Sequence, residues 1–198
     1  MILKRLFDFV LAFLMLLILG IIIIICVLIA SLDTISCGLF MQDRIGQFGQ
    51  PFKIFKIKTV NDKSKAITTF GQFLRNTKLD ELPQLVNILN GTMSFVGPRP
   101  DVAGYADKLN GEDKTILQLR PGVTGLASIK YRNEEQILAI QQNPLHYNDT
   151  VIWPDKVRIN KWYVQNRTFR LDLKILFFTF IPLDFNTELF MKQNTVNK

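Results

Sequence analysis

Two adjacent carboxylates, Asp80 and Glu81, open the segment LDELPQLVNILN (79–90), whose apolar residues at 79, 82, 85, 86 and 89 have helical spacing. Pro83 is tolerated only in a first turn, so the spacing predicts a helix starting close to Asp80 and ending at Gly91. Acids in a first turn have a plain structural role, since they stabilise the positive end of the helix dipole by roughly 0.3–1 kcal/mol each. Thr77, three residues before Asp80, resembles a capping residue. The surroundings add a chemical reading. Arg75 and Lys78 immediately precede the pair, and Arg99 and Arg120 each sit in a loop stiffened by Pro and Gly (GPRP, 97–100; RPGVTG, 120–125). A single arginine on a stiff loop suits a bidentate grip on phosphate. Carboxylates beside bound phosphate suit Mg²⁺, which takes one or two carboxylates plus substrate oxygens. A carboxylate can also attack phosphorus. Capping and phosphate chemistry both remain open on these residues alone.

Other chemistries find little support. The one histidine, His146, lies in the polar segment QQNPLHYNDT and has no Cys or His at ligand spacing. Cys26 and Cys37 suggest neither a disulfide framework nor a metal knuckle. Neither a Walker loop nor a Gly-x-Gly-x-x-Gly fingerprint occurs.

The elements that must hold these residues follow from the pattern. FKIFKIKT (52–59) reads as a strand after the turn FGQP (48–51), giving a short β-hairpin. Residues 67–75, 134–142 and 155–166 read as helices, and 171–183 as a last amphipathic-to-apolar stretch. Residues 9–32 carry no charge. As a helix they would reach about 36 Å, against a hydrocarbon core of about 30 Å. Basic residues flank both ends of this stretch: 1–32 carries a net charge of +1 and the remainder +6. A helix that spans and one that re-enters the same leaflet both fit. With 198 residues, 48% hydrophobic, 21% charged and a net charge of +7, the chain matches neither a soluble enzyme nor a multi-span membrane protein. The organisation read here is a membrane helix over 1–32, a catalytic domain over 33–185 and a polar tail over 186–198. The fold class is α+β, mostly helical, with a small β-hairpin or sheet.

The motifs FMQDRIGQFGQPFKIFKIKT (40–59), LDELPQLVNILNGTMSFVGPRP (79–100), LRPGVTGLAS (119–128) and LDLKI (171–175) occur in this order. On them the chain resembles the bacterial sugar transferases of the monotopic phosphoglycosyl transferase superfamily. The resemblance implies transfer of a sugar 1-phosphate from a UDP-sugar to undecaprenyl phosphate, with release of UMP, as the first membrane step of a glycoconjugate pathway. It makes Asp80 the nucleophile of a phosphosugar-aspartyl intermediate and gives Glu81 a part in handling Mg²⁺ or the lipid phosphate. Asp80 and Glu81 are the implied metal ligands. Arg99 and Arg120 are the implied phosphate grips, with Arg75 and Lys58 as further substrate-binding residues. It places the protein on the cytoplasmic face of the bacterial inner membrane, partnered by UDP-sugar, undecaprenyl phosphate and membrane lipids, and not by nucleic acid.

One departure stands out. The family's membrane helix is typically re-entrant, with a Ser-Pro break, whereas this chain has no proline before Pro51 and carries Leu19-Gly20-Ile21 at the centre of the stretch. A bend at Gly20 is the expectation. The competing readings are a non-enzymatic basic membrane adaptor and a lipid phosphotransferase working by direct transfer.

Overall fold

The computed structural model describes residues 2–181 and 185–195. Two residues of the predicted apolar stretch, 182 and 183, lie outside them. The chain divides into two compact units, Met1–Ile45 with Pro51–Ser94, and Gly46–Gln50 with Phe95–Lys198.

The first unit is built on α1 (Ile2–Thr34), β1 (Leu39–Ile45), β2 (Pro51–Ile57), α2 (Thr69–Thr77) and α3 (Gln84–Leu89). β1 and β2 form the expected antiparallel hairpin, in register from Leu39 opposite Ile57 to Ile45 opposite Pro51. α1 has a window of mean hydropathy 3.5, of which only 11% is buried, and it is long and apolar enough to cross a membrane. Its 33 residues correspond to about 50 Å. The helix continues through Gly20 without interruption. One glycine among Leu and Ile costs a helix only about 1 kcal/mol, and no proline removes a ladder bond here.

The buried positions of α1 are Asp8, Ala12, Cys26, Ala30 and Thr34. They recur at helical spacing and are small or polar, while Leu17, Ile18, Ile21, Leu28 and Leu32 on the opposite side are exposed. Both ends of α1 are tied to this unit. Near its start, the Arg5 guanidinium donates to the carbonyls of Ile88 (2.6 Å) and Leu89 (2.9 Å), the last turn of α3. Ser94 Oγ donates to the buried Asp8 carboxylate at 2.8 Å. Near its end, Cys26 and Ala30 pack with Ile57 and Leu74, and Asn61 Nδ2 donates to the Asp33 carbonyl at 3.1 Å.

In the second unit, β3 (Ser94–Val96), which leads out of the first, pairs with β4 (Gly122–Thr124). The helices are α4 (Leu126–Lys130), α5 (Glu134–Ala139), α6 (Pro144–Tyr147), α7 (Trp153–Asn166), α8 (Phe169–Phe180) and α9 (Thr187–Asn194). Ile129, Ile152, Ile159, Leu171 and Ile175 are among its buried residues. Thr168 caps α8 through its hydroxyl, and the buried Tyr163 hydroxyl donates to the buried Asp172. His146 lies in the short helix α6, whose cap is Asn143, and its side chain is exposed. A polar cluster ties α4 to α7. Asp155 accepts from Lys130 Nζ (2.6 Å), the Tyr131 hydroxyl (2.8 Å), and Arg158 Nε and Nη2 (2.9 and 2.7 Å). Arg158 also pairs with Glu188 of α9.

Candidate active site

The predicted helix over 79–90 is two pieces. Leu79–Glu81 is a single 3-10 turn, and α3 begins only at Gln84. Pro83 is the cause, because it has no N–H to donate back to Leu79, whose carbonyl takes the Leu82 N–H instead (3.2 Å). Gly91 ends α3 as expected, with φ +84°. Thr77 does not cap the turn. Its hydroxyl donates back to Phe73 and Leu74 within α2 (2.8 and 3.2 Å). Lys78 closes α2 in a left-handed conformation (φ 58°), which few non-glycine residues adopt, and so redirects the chain into the turn that carries Asp80.

Asp80 is 8% exposed, and its Oδ1 is buried with no hydrogen-bond partner among the described residues. Burial, then the neighbouring Glu81, push its carboxyl above the ordinary range, while Lys56, Lys78 and Arg75 pull it down. The expected influence of a helix terminus is replaced by these three cations. Glu81 is held differently, since Lys56 Nζ donates to its Oε1 at 3.1 Å, with 19% and 11% of the two side chains exposed. Gln84 is 1% exposed, and its Nε2 also has no partner.

Lys56 was missed by sequence reasoning, which chose Lys58. Lys58 Nζ donates to Asp62 at 2.6 Å and holds that carboxyl below its usual range. Arg75 donates to Thr59 Oγ1 at 3.0 Å and lies near enough to Asp80 to act on its charge.

Arg99 and Arg120 belong to the second unit, where the structure brings their loops together. Gly97 N donates to the Thr124 carbonyl (3.0 Å) and Gly122 N to the Pro98 carbonyl (2.8 Å). A Cβ on Gly122 would lie 2.2 Å from Gly97 N, so two backbones approach here as only glycine permits. Arg120 Nε is buried without a hydrogen-bond partner among the described residues. An orphaned buried donor is expensive in a folded protein, and an anionic ligand would satisfy it.

Among the described residues, no group of three or more His, Cys, Asp or Glu side chains gathers to hold a metal ion by itself. Asp80 offers an unsatisfied hard oxygen beside a second carboxylate. That pair fits a cation that takes few protein ligands and completes its shell with phosphate oxygens and water.

The family model described as bacterial sugar transferase matches residues 1–183. The chain is 34% identical over 189 residues to the sugar transferase EpsL of Bacillus subtilis, covering 90% of this chain and 86% of that one. It is 33% identical to the UDP-glucose:undecaprenyl-phosphate glucose-1-phosphate transferases of Klebsiella pneumoniae and Escherichia coli, over 90% and 89% of its own length. It spans only 39% of each of those two relatives. A buried carboxylate ringed by cations, two knit arginine loops and a long apolar helix thus sit in a sequence matched almost throughout, and the chain belongs to the bacterial sugar transferase family.

Proposed function

We propose that this protein transfers a sugar 1-phosphate from a UDP-sugar to undecaprenyl phosphate through a covalent intermediate on Asp80. The observation that carries this reading is the buried, unpartnered Asp80 Oδ1 amid Lys56, Lys78 and Arg75. A structural carboxylate would have its lone pairs filled, whereas a nucleophile must keep one available. Its oxygen attacks the sugar-bearing phosphorus, and the P–O bond to the nucleotide breaks, its electron pair leaving on UMP. An oxygen of undecaprenyl phosphate then attacks the same phosphorus, and the Asp80 carboxylate departs with the electron pair of the acyl phosphate bond. Family membership sets aside the non-enzymatic adaptor.

The residues have separable parts in this scheme. Asp80 supplies the nucleophile, and the nearby cations offset the charge that builds on the phosphate oxygens. Glu81, braced by Lys56, orients the acceptor phosphate. Arg120 and Arg99 grip phosphate from their stiff loops. Asp80 and Glu81 would hold Mg²⁺, which when bound neutralises phosphate charge as a Lewis acid.

The membrane disposition follows the ties of α1. Both of its ends are bonded to the first unit, which supports a helix that rests in one leaflet with both ends on the same side. The exposed apolar face then meets lipid, and UDP-sugar supply places the site on the cytoplasmic face.

The test is UMP release by the full-length protein in membranes, from UDP-glucose and UDP-galactose with undecaprenyl phosphate and Mg²⁺. Asp80→Asn abolishes it, and a phosphosugar is trapped on the wild-type chain when the lipid is withheld. Turnover by the variant, or release that always needs the lipid, supports direct transfer instead. For topology, Cys37 is exposed and Cys26 buried. A membrane-impermeant maleimide applied to intact spheroplasts leaves Cys37 unlabelled, as it does an Ile2→Cys variant. Labelling of either end overturns the disposition.

A further inference from the structure

Asn87 is 1% exposed in the middle of α3, and its amide is spent on a strand. The Phe55 N–H donates to its Oδ1 (3.1 Å), and its Nδ2 donates to the Lys53 carbonyl (2.8 Å). In the hairpin register these two groups of β2 face away from β1, because the Gly46 N–H donates to the Gln50 carbonyl and the Lys58 N–H to the Gly38 carbonyl, which makes 52, 54 and 56 the bonded positions between them. A neighbouring strand would bond to the N–H of residue 55 and the C=O of residue 53 in the same way. One side chain therefore does for β2 what a third strand would do. Asn87 is itself held, since its carbonyl accepts from Met93 N (3.0 Å) and Thr92 Oγ1 (3.1 Å).

The next residue along β2 is Lys56, whose ammonium reaches Glu81 three residues before α3 starts. The loop of restraint is closed: α3 grips β2 through Asn87, and β2 grips the turn preceding α3 through Lys56.

We propose that Asn87 is a positioning residue for the transfer reaction, an amide that replaces a strand at the outer edge of β2 and so fixes Lys56 against Glu81. This rests on the reading of Asp80 and Glu81 as the reaction centre. A residue that only covered a strand edge would protect against edge pairing and affect stability, but it would not act through Lys56.

Two measurements on the full-length protein in membranes test it. The first needs no substrate. Lys56 is acetylated with an N-hydroxysuccinimide ester and scored by mass spectrometry against the exposed Lys78. In Asn87→Ala the relative labelling of Lys56 rises about fivefold as its ion pair loosens, the scale of a coupling near the lower end of contacting pairs. Unchanged labelling overturns the proposal. The second is a double-mutant cycle on UMP release. Asn87→Ala lowers kcat about tenfold with KM unchanged in the wild-type background, and has almost no effect once Lys56→Ala is present. Additive losses overturn the proposal and leave Asn87 a structural residue. If Asn87→Ala does not fold, Asn87→Asp keeps the acceptor for the Phe55 N–H and carries both measurements. Should Asp80→Asn retain turnover, the reaction reading falls, while the labelling result still decides whether Asn87 holds Lys56.

Discussion

Asp80, buried in the first unit, and Asp155, half-buried in the second, are both aspartates beside several cations, yet the chain treats them in opposite ways. Asp155 has both oxygens filled by Lys130, Tyr131 and Arg158. Burial, the largest single influence, pushes its carboxyl up, but the hydrogen bonds from these three residues hold it below the ordinary range. The partner Tyr131 is pushed well above its usual value by burial and by its bond to Asp155. Asp80 has cations around it, but no hydrogen bond reaches its Oδ1, and its carboxyl is raised. On the proposed role of Asp80, the difference separates structural work from chemical work. A satisfied carboxylate stabilises the fold, while an unsatisfied one destabilises it and stays available to a ligand.

Four outcomes would sharpen or break this contrast. The largest concerns Asp80→Asn, which loses activity by about 10³-fold or more, as removal of a nucleophile does. Its thermal midpoint holds or rises, with a gain of up to about 1 kcal/mol, because a buried unpaired charge is removed. A clear loss of stability would show Asp80 to be structural. Next, Lys56→Ala lowers kcat about 10–100-fold by removing the ion pair that braces Glu81, read from UMP release at saturating substrate. An unchanged kcat would make the Lys56–Glu81 pair an ornament of the fold.

The third is the mirror image. Asp155→Asn costs about 2 kcal/mol of stability in thermal melts, since three charge-assisted or polar donors lose their anion, while kcat stays within about threefold. The smallest effect is its pH dependence. A carboxyl depressed in the folded state contributes fully above its unfolded pKa and loses that contribution as pH falls through the folded one. The gap in melting temperature between wild type and Asp155→Asn is therefore constant near neutrality and closes below about pH 4. A gap that widens on acidification would contradict the satisfied state of Asp155.

The sequence made much of this legible, and its failures have physical causes. Asp80 and Glu81 stood out because acids, Pro and Gly mark a local boundary. The exact form of that boundary did not follow, since Pro83 can start a helix or interrupt one, and only the bonds of the preceding turn decide. Lys56 and Lys58 share one face of an ideal strand, so periodicity cannot choose between them. The choice depends on where Glu81 and Asp62 fall in three dimensions. β3 and β4 are three residues each, too short for alternation to register, and they read as stiff loops until Gly97 and Gly122 are seen in contact.

α1 teaches the reverse lesson. Its hydrophobicity announces lipid but conceals the side that meets protein. That side is marked by the small and polar residues Asp8, Ala12, Cys26, Ala30 and Thr34, a pattern usual for helix contacts in membranes.

That packing also decides how the enzyme can be handled. Cys26 and Ala30 complete the cluster around Ile57 and Leu74, Asp8 satisfies Ser94, and Arg5 closes the end of α3. Cutting away residues 2–34 to obtain a water-soluble fragment would strip one wall from the unit that carries Asp80 and Glu81. The long apolar helix and the turn that bears Asp80 belong to one compact unit, so on the proposed reading the protein is purified with α1 in place, and the detergent or lipid that shields its exposed apolar face becomes a determinant of activity.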